Sequence, residues 1–120
     1  MIDHTAINVT DLASAKPFYE QALAPLGYAL AFEVGGFLGF GDGPSLSFAV
    51  VQRAPVGGGH VAFNCTDRAT VDAFYAAAMA AGGTDNGAPG VREHYHAHYY
   101  AAFVHDADGN NIEAVCHTPE

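Results

Sequence analysis

The chain has 120 residues, enough for one domain that buries its own core without disulfide or metal staples. Half of its residues are apolar and 14% are charged, a globular composition that excludes a disordered chain. Four basic residues against thirteen acidic ones leave a net charge of −9, a field that repels phosphate-rich partners and argues against nucleic acid. No apolar run approaches the roughly 20 residues that span a bilayer, and the N-terminus lacks a basic-then-apolar leader, so no membrane partner is expected and the cytoplasm is the expected location.

Residues 3–11 read "DHTAINVTD". Their alternation predicts a strand with Thr5, Ile7 and Val9 on one face and His4, Ala6 and Asn8 on the other. A helix to cover the apolar face follows, in which Ala15, Phe18, Tyr19, Ala22, Leu23 and Leu26 recur at three-four spacing. Ser14 is its expected N-cap, with Asp11 just upstream. That start places Pro17 in the first turn, where the N–H groups have no intrahelical partner. Three strand-like runs come next, "YALAFEV" (28–34), "FLGFG" (37–41) and "SLSFAVV" (45–51), separated by the turn signals "GG" and "GDGP". The unit is therefore βαβββ, and "APVGGG" (54–59) reads as a flexible joint after it.

The second half opens "GHVAFNCTD" (59–67). Val61, Phe63 and Cys65 alternate with His60, Ala62 and Asn64, and the next helix carries Val71, Phe74, Tyr75, Ala78 and Met79 on one stripe, with Thr70 as the expected N-cap and Asp67 upstream. "GGTDNGAPGVRE" (82–93) is turn-rich and reads as a loop with at most a short strand. Two clearer strands follow, "HYYAAFVH" (98–105) and "NIEAVCH" (111–117), joined by "DADGN" as a hairpin turn.

Laying residues 3–27 on 59–83 gives eleven identities in twenty-five positions, among them His4/His60, Asn8/Asn64, Asp11/Asp67, Phe18/Phe74 and Tyr19/Tyr75. Alanine-rich helices resemble one another by composition alone, but composition does not hold His, Asn, Thr-Asp and Phe-Tyr in one register. The chain is read as a single domain over 1–120, built from modules 1–54 and 59–117 joined by the glycine-rich linker 55–59. Matching Asp42-Gly43 to Asp108-Gly109 aligns the closing hairpins with ten residues gained in the second module, and pairs Leu46 with Ile112 and Ser47 with Glu113. By parity Glu113 shares a face with Asn111 and Val115, on the same helix-free side as the two histidines. Cys65 and Cys116 fall inside apolar strands and read as buried small hydrophobes.

A paired βαβββ plan, a histidine opening each copy, "FY" in each helix and a terminal "DADGNNIEAV" together resemble the vicinal oxygen chelate superfamily, which includes glyoxalase I, bleomycin-resistance proteins, fosfomycin-resistance enzymes and extradiol dioxygenases. The resemblance spans essentially the whole chain, and its most specific element is the family's closing "DPDGN-x-hydrophobic-E" pattern, here "DADGNNIE". It implies an α+β, glyoxalase-like fold in which two tandem βαβββ modules form a curved mixed-sheet cup with helices outside and a divalent metal within. The family's ligand positions fall on His4, His60 and Glu113. The second glutamate of glyoxalase I falls on Ser47, which leaves two imidazoles and one carboxylate, a set suited to a catalytic Fe(II), Mn(II), Zn(II) or Ni(II) with open positions.

Such an ion acts as a Lewis acid toward two neighbouring oxygens of a small-molecule substrate, so the resemblance implies a metal-dependent lyase- or dioxygenase-like enzyme. Glyoxalase-type proton transfer wants a second carboxylate, which serine does not supply. Fosfomycin-type thiol transfer needs a phosphonate to be received by only Lys16, Arg53, Arg68 and Arg92. The alternative is a metal-free protein of the bleomycin-resistance type that sequesters a drug or metabolite. Glu113, Tyr100 and His98 are the catalytic candidates, with Tyr28, Glu33 and Phe40 as further pocket residues. Asn8 and Asn64, four residues after the histidines on the same face, are placed either to orient them or only to satisfy strand-end backbone. His94, His96 and His98 share a face if "EHYHAHYY" is extended, as a second metal site, as a rim to the pocket, or as surface histidines that titrate without a role. Relatives imply a homodimer.

Overall fold

The structure, a computed structural model, describes residues 2–120. The first module runs β1 (Thr5–Val9), α1 (Leu12–Leu23) with a 3-10 turn at Ala24–Leu26, β2 (Ala29–Val34), β3 (Phe37–Gly41) and β4 (Phe48–Gln52). The second repeats it as β5 (His60–Cys65), α2 (Arg68–Ala80), β6 (Thr84–Val91), β7 (Tyr100–His105) and β8 (Asn111–Cys116). Each module forms its own four-stranded mixed sheet, ordered β1-β4-β3-β2 and β5-β8-β7-β6. In both, the first strand pairs in parallel with the last, and the remaining pairs are antiparallel. No helix among the described residues is long and apolar enough to cross a membrane.

Alternation decides which side of each sheet a helix covers. Ile7, Val9, Leu38, Phe40, Phe48 and Val50 are buried with Phe18, Tyr19, Ala22 and Leu23 of α1, while Phe63, Cys65, Ala102, Val104, Ile112, Ala114 and Cys116 are buried with Val71, Phe74 and Ala78 of α2. The two sets form one continuous core. Phe63 joins them, its ring 5.3 Å edge-on from Tyr28 and from Phe48 of the first module. Burying one such aromatic side chain contributes about 2–3 kcal/mol.

The "DADGN" turn fastens the modules together. Asp106 and Asn110 are 6% and 1% exposed. Asp106 Oδ1 accepts the backbone N–H groups of Asp108 and Asn110 at 3.0 and 2.8 Å, and its Oδ2 accepts the Tyr19 hydroxyl of α1 at 2.6 Å and Asn110 Nδ2 at 2.9 Å. Asn110 Nδ2 also donates to the Asn8 carbonyl on β1 at 3.0 Å, while its Oδ1 accepts the Gly59 N–H of the linker at 3.1 Å. A turn motif in one module is thereby bonded to a strand and a helix of the other. Burial without partners would be costly for these groups, and here both side chains are fully engaged.

Four local expectations are corrected. The helices start earlier than read: Asp11 and Asp67 are the N-caps, not Ser14 and Thr70. Asp67 accepts the Thr70 N–H at 2.7 Å, since a carboxylate at this position reaches the N3 donor directly. Pro17 consequently lies inside α1 rather than in its first turn; it and Ala13, whose carbonyl loses a donor, are exposed, so that carbonyl is open to solvent. The turn-rich segment 84–91 is a full strand, β6, on the sheet edge, where register shifts at Asp85/Gly87 and Gly87/Gly90 absorb its glycines and an edge position tolerates Pro89. Finally, β1 pairs Ala6 with Ala49 and β5 pairs Ala62 with Glu113, so the residue equivalent to Glu113 is Ala49, and the second module has gained eight residues rather than ten. Asp42 therefore corresponds to Asp106, the first aspartate of the closing turn.

Candidate functional site

β5 and β8 lie side by side, and their parallel register sets Glu113 opposite Ala62, two residues past His60 and on the same face. The helix-free faces of the two strands therefore bring the imidazole and the carboxylate together, with His60 Nε2 3.4 Å from Glu113 Oε1. The Glu113 side chain is 3% exposed and that of His60 is 50% exposed, so the carboxylate forms the floor and the ring the open wall. His60 Nδ1 is 2.9 Å from the Asn111 carbonyl. A carbonyl only accepts, so Nδ1 carries a proton, and the neutral tautomer that this bond selects has its Nε2 lone pair toward Glu113.

The spacing of these two side chains fits a shared divalent ion. The Nε2–Oε1 separation of 3.4 Å is longer than a good hydrogen bond, and two ligating atoms each about 2.1 Å from one ion at tetrahedral angles stand about 3.4 Å apart. The bond from Nδ1 to a backbone carbonyl is the usual support of a metal-bound histidine. His4 is not in this group. It directly precedes β1 of the other sheet, its side chain 58% exposed and Nδ1 2.7 Å from the Asp3 carboxylate. Among the described residues no three His, Cys, Asp or Glu side chains gather into a metal-holding set.

The second oxygen of Glu113 is engaged by Tyr99, whose hydroxyl donates to Oε2. Burial first, then this bond and the carboxylate charge, raise the Tyr99 pKa well above the ordinary phenol value, so it remains a donor. Tyr100 points the other way. Its hydroxyl donates to Asp72 of α2 at 2.6 Å and its ring receives Arg68 at 4.9 Å; the bond to Asp72, then burial, push its pKa up to about 12. His98 lies in a turn rather than a strand, its backbone N–H donating to His96 Nδ1 at 3.1 Å and its side chain exposed. His94, His96 and His98 thus do not share a strand face. His96 instead bonds His117, Nε2 to Nδ1, at 2.8 Å.

The remaining candidates divide between the two modules. A cavity of about 500 Å³ runs from the first module to β5, lined by Asp3, Thr5, Tyr28, Ser47, His60 and Asn64. Ser47 Oγ donates to the Tyr28 hydroxyl at 3.0 Å across one wall. Asn64 therefore stays beside His60, whereas Asn8 donates to the Pro55 carbonyl at 3.0 Å and anchors the linker. Phe40 is buried in the core, and Glu33 is paired with Lys16 at 3.0 Å on the surface. Cys65 and Cys116 are both buried, and burial pushes the Cys65 thiol up to about 11. Tyr99 is the residue that sequence reasoning missed. The ladder reveals it: the pairing of Phe103 with Glu113 puts odd-numbered positions of β7, and Tyr99 just before it, on the face of the carboxylate.

The family model described as Glyoxalase/Bleomycin resistance protein/Dioxygenase superfamily matches residues 1–114. No curated protein matches the chain significantly. Among solved structures, a glyoxalase/bleomycin resistance protein from Albidiferax ferrireducens is 29% identical, with a TM-score of 0.83 over 98% of both chains. A lactoylglutathione lyase from Agrobacterium tumefaciens shares the fold at 22% identity and a TM-score of 0.71, over 97% of this chain and 92% of that one. A glyoxalase/bleomycin resistance protein/dioxygenase family enzyme from Burkholderia phytofirmans does so at 19% identity and a TM-score of 0.73, over 98% of both chains.

Proposed function

The chain belongs to the glyoxalase/bleomycin resistance/dioxygenase superfamily, and from that footing we propose that it is a divalent-metal-dependent enzyme acting on a small molecule that presents two neighbouring oxygens. The observation that carries this reading is the pairing of His60 and Glu113: an imidazole lone pair oriented by the Asn111 carbonyl, facing a nearly inaccessible carboxylate oxygen at 3.4 Å. The third ligand is His4 of a second copy. Within one chain His4 is exposed at the head of β1, in step with Ala6 and Asn8 of that sheet's helix-free face. On that face Phe32 and Val34, opposite Gly39 and Phe37, are 50% and 52% exposed, an apolar surface of the kind a homodimer contact covers.

A metal bound there supplies Lewis acidity toward the substrate's paired oxygens. The protein's own groups do the rest. Glu113 and His60 set the position of the charge, Asn64 and the cavity wall receive the body of the ligand, and the Tyr99 hydroxyl keeps one carboxylate oxygen occupied. Ala49, the counterpart of Glu113, offers no carboxylate. A glyoxalase-type proton transfer therefore has no base from the first module, and a lyase of that kind is disfavoured relative to chemistry needing only a chelated, polarised substrate.

One observation favours a second reading. A single chain assembles two ligands and a cavity of about 500 Å³, which suits a protein that binds a small molecule without metal, as in drug sequestration. Metal titration of chelator-free protein, with mass measured in solution, separates the two. The enzyme reading expects one ion per site in a dimer, its loss in His60→Ala, Glu113→Gln and His4→Ala, and recovery of one of the two sites in each mixed dimer of His4→Ala with Glu113→Gln, about a quarter of all sites after statistical subunit exchange. Unchanged metal content in His4→Ala removes the shared site, and no metal in the wild type leaves the binder.

A further inference from the structure

The segment "EHYHAHYY" is drawn on by the proposed site only through Tyr99, yet it is organised more tightly than a surface loop needs to be. The Arg92 N–H donates to the Tyr99 carbonyl at 2.7 Å, the Tyr99 N–H donates to the His96 carbonyl at 3.2 Å, and the Tyr95 N–H returns to the Arg92 carbonyl at 3.0 Å. The Tyr99 ring is walled by Tyr95 at 4.7 Å, by His96 at 5.4 Å and, edge-on, by His117 at 5.3 Å. His96 stacks on His117 at 5.0 Å and bonds it at 2.8 Å. His117 directly follows β8, four residues beyond Glu113, so this bond ties the loop to the strand that carries the carboxylate.

The tautomers say what the imidazole pair does. His96 Nδ1 accepts the His98 N–H, so the neutral ring carries its proton on Nε2 and donates it to His117 Nδ1. His96 therefore has no free lone pair to offer an ion without giving up a bond inside its own loop. The pair is a clasp, and a second metal site is not what this loop is built for. What the clasp holds in place is a hydroxyl. The Tyr99 O–H reaches Glu113 Oε2 while Oε1 faces His60.

We propose that Tyr99 is a positioning residue for Glu113, that it keeps the carboxylate single-ended toward His60 by occupying Oε2, and that the His96–His117 clasp holds it there. The inference rests on Glu113 being a metal ligand. A carboxylate with both oxygens free rotates and closes on an ion with one or two of them; a donor fixed on one oxygen removes that choice. Partners of this kind on a ligating side chain are commonly worth 10- to 100-fold in metal affinity.

Cobalt(II) and zinc(II) titrations by calorimetry, with the visible spectrum of the cobalt form, test it on the wild type, Glu113→Gln, Tyr99→Phe and His96→Gln. Tyr99→Phe keeps the ring and its packing, so the fold is preserved. It is expected to weaken both ions about 10- to 100-fold, and to lower the cobalt absorption as the freed Oε2 raises the coordination number. His96→Gln is expected to shift affinity the same way by less, with faster amide exchange over residues 92–99. Affinity within about twofold of wild type and an unaltered cobalt spectrum in Tyr99→Phe, while Glu113→Gln abolishes binding, overturns the positioning role and leaves the metal reading standing. Full binding by Glu113→Gln, or none by the wild type, overturns the metal reading and this inference with it.

Discussion

Replacing Tyr19 with Phe tests how the two modules are held together. The Tyr19 ring is fully buried, 4.8 Å from Phe18 and 5.6 Å from Phe48, and phenylalanine keeps that packing. Only the hydroxyl is lost, and with it the 2.6 Å bond to Asp106 Oδ2, which then retains Asn110 Nδ2 alone at 2.9 Å. A hydrogen bond to a charged group contributes about 1.5–3 kcal/mol, and the site is too enclosed for water to replace the donor freely. For a domain of this size each kcal/mol moves the midpoint by roughly 3–6 °C, so Tyr19→Phe is expected to lower Tm by roughly 5–18 °C. Urea and thermal unfolding of Tyr19→Phe, Asp106→Ala and the double variant measure the coupling, expected at about 1–2 kcal/mol. A Tm shift below about 2 °C together with additive single effects would refute the view that Asp106 bonds the second module to α1 with consequence for stability.

Two further outcomes follow from the same packing. A Cβ on Gly83 would lie 2.4 Å from Val104 Cγ1 and 2.8 Å from the Ala78 carbonyl, so Gly83→Ala is expected to destabilise by about 1–3 kcal/mol in chemical denaturation, and a neutral result would mean that α2 and β7 part more easily than their burial implies. Burial, then the charge of Asp106, raises the Tyr19 pKa far above its ordinary value of 10.0. Both states keep the proton below about pH 10; above it the unfolded chain releases the proton and the folded chain does not, so this tyrosine's contribution to stability declines by about 1.4 kcal/mol per pH unit. The stability gap between wild type and Tyr19→Phe should therefore narrow between pH 10 and pH 11, by urea unfolding, and parallel curves would contradict it.

Much of the site was legible because strand periodicity is local. Alternation put His60 and Glu113 on helix-free faces, and the repeat and hairpin put their strands in the same module, so their meeting required only that β5 and β8 be neighbours. The choice between Tyr99 and Tyr100 depended on one step of parity. "HYYAAFVH" alternates too weakly in hydropathy to declare a face, since Ala101 and Ala102 are equally buried; only the pairing of β7 with β8 decides it. The match of Ser47 to Glu113 failed for a related reason. Two Asp-containing turns were aligned on Asp-Gly, whereas the ladder aligns Asp42 with Asp106, two residues earlier.

The amino-acid order by itself determined the duplicated βαβββ plan, the faces of the strands, the histidine at the head of each copy and the glutamate of the last strand. These follow from periods of two and 3.6 residues and from turn chemistry, which act over a few residues at a time. Tertiary structure alone decided that His60 and Glu113 meet while His4 stands apart, that Tyr99 rather than Tyr100 reaches the carboxylate, and that the "DADGN" turn bonds one module to the other. Those outcomes depend on ladder register and on how two separate sheets pack through one core. No local pattern encodes them, because contacts between residues a hundred positions apart are set by the packing of whole elements.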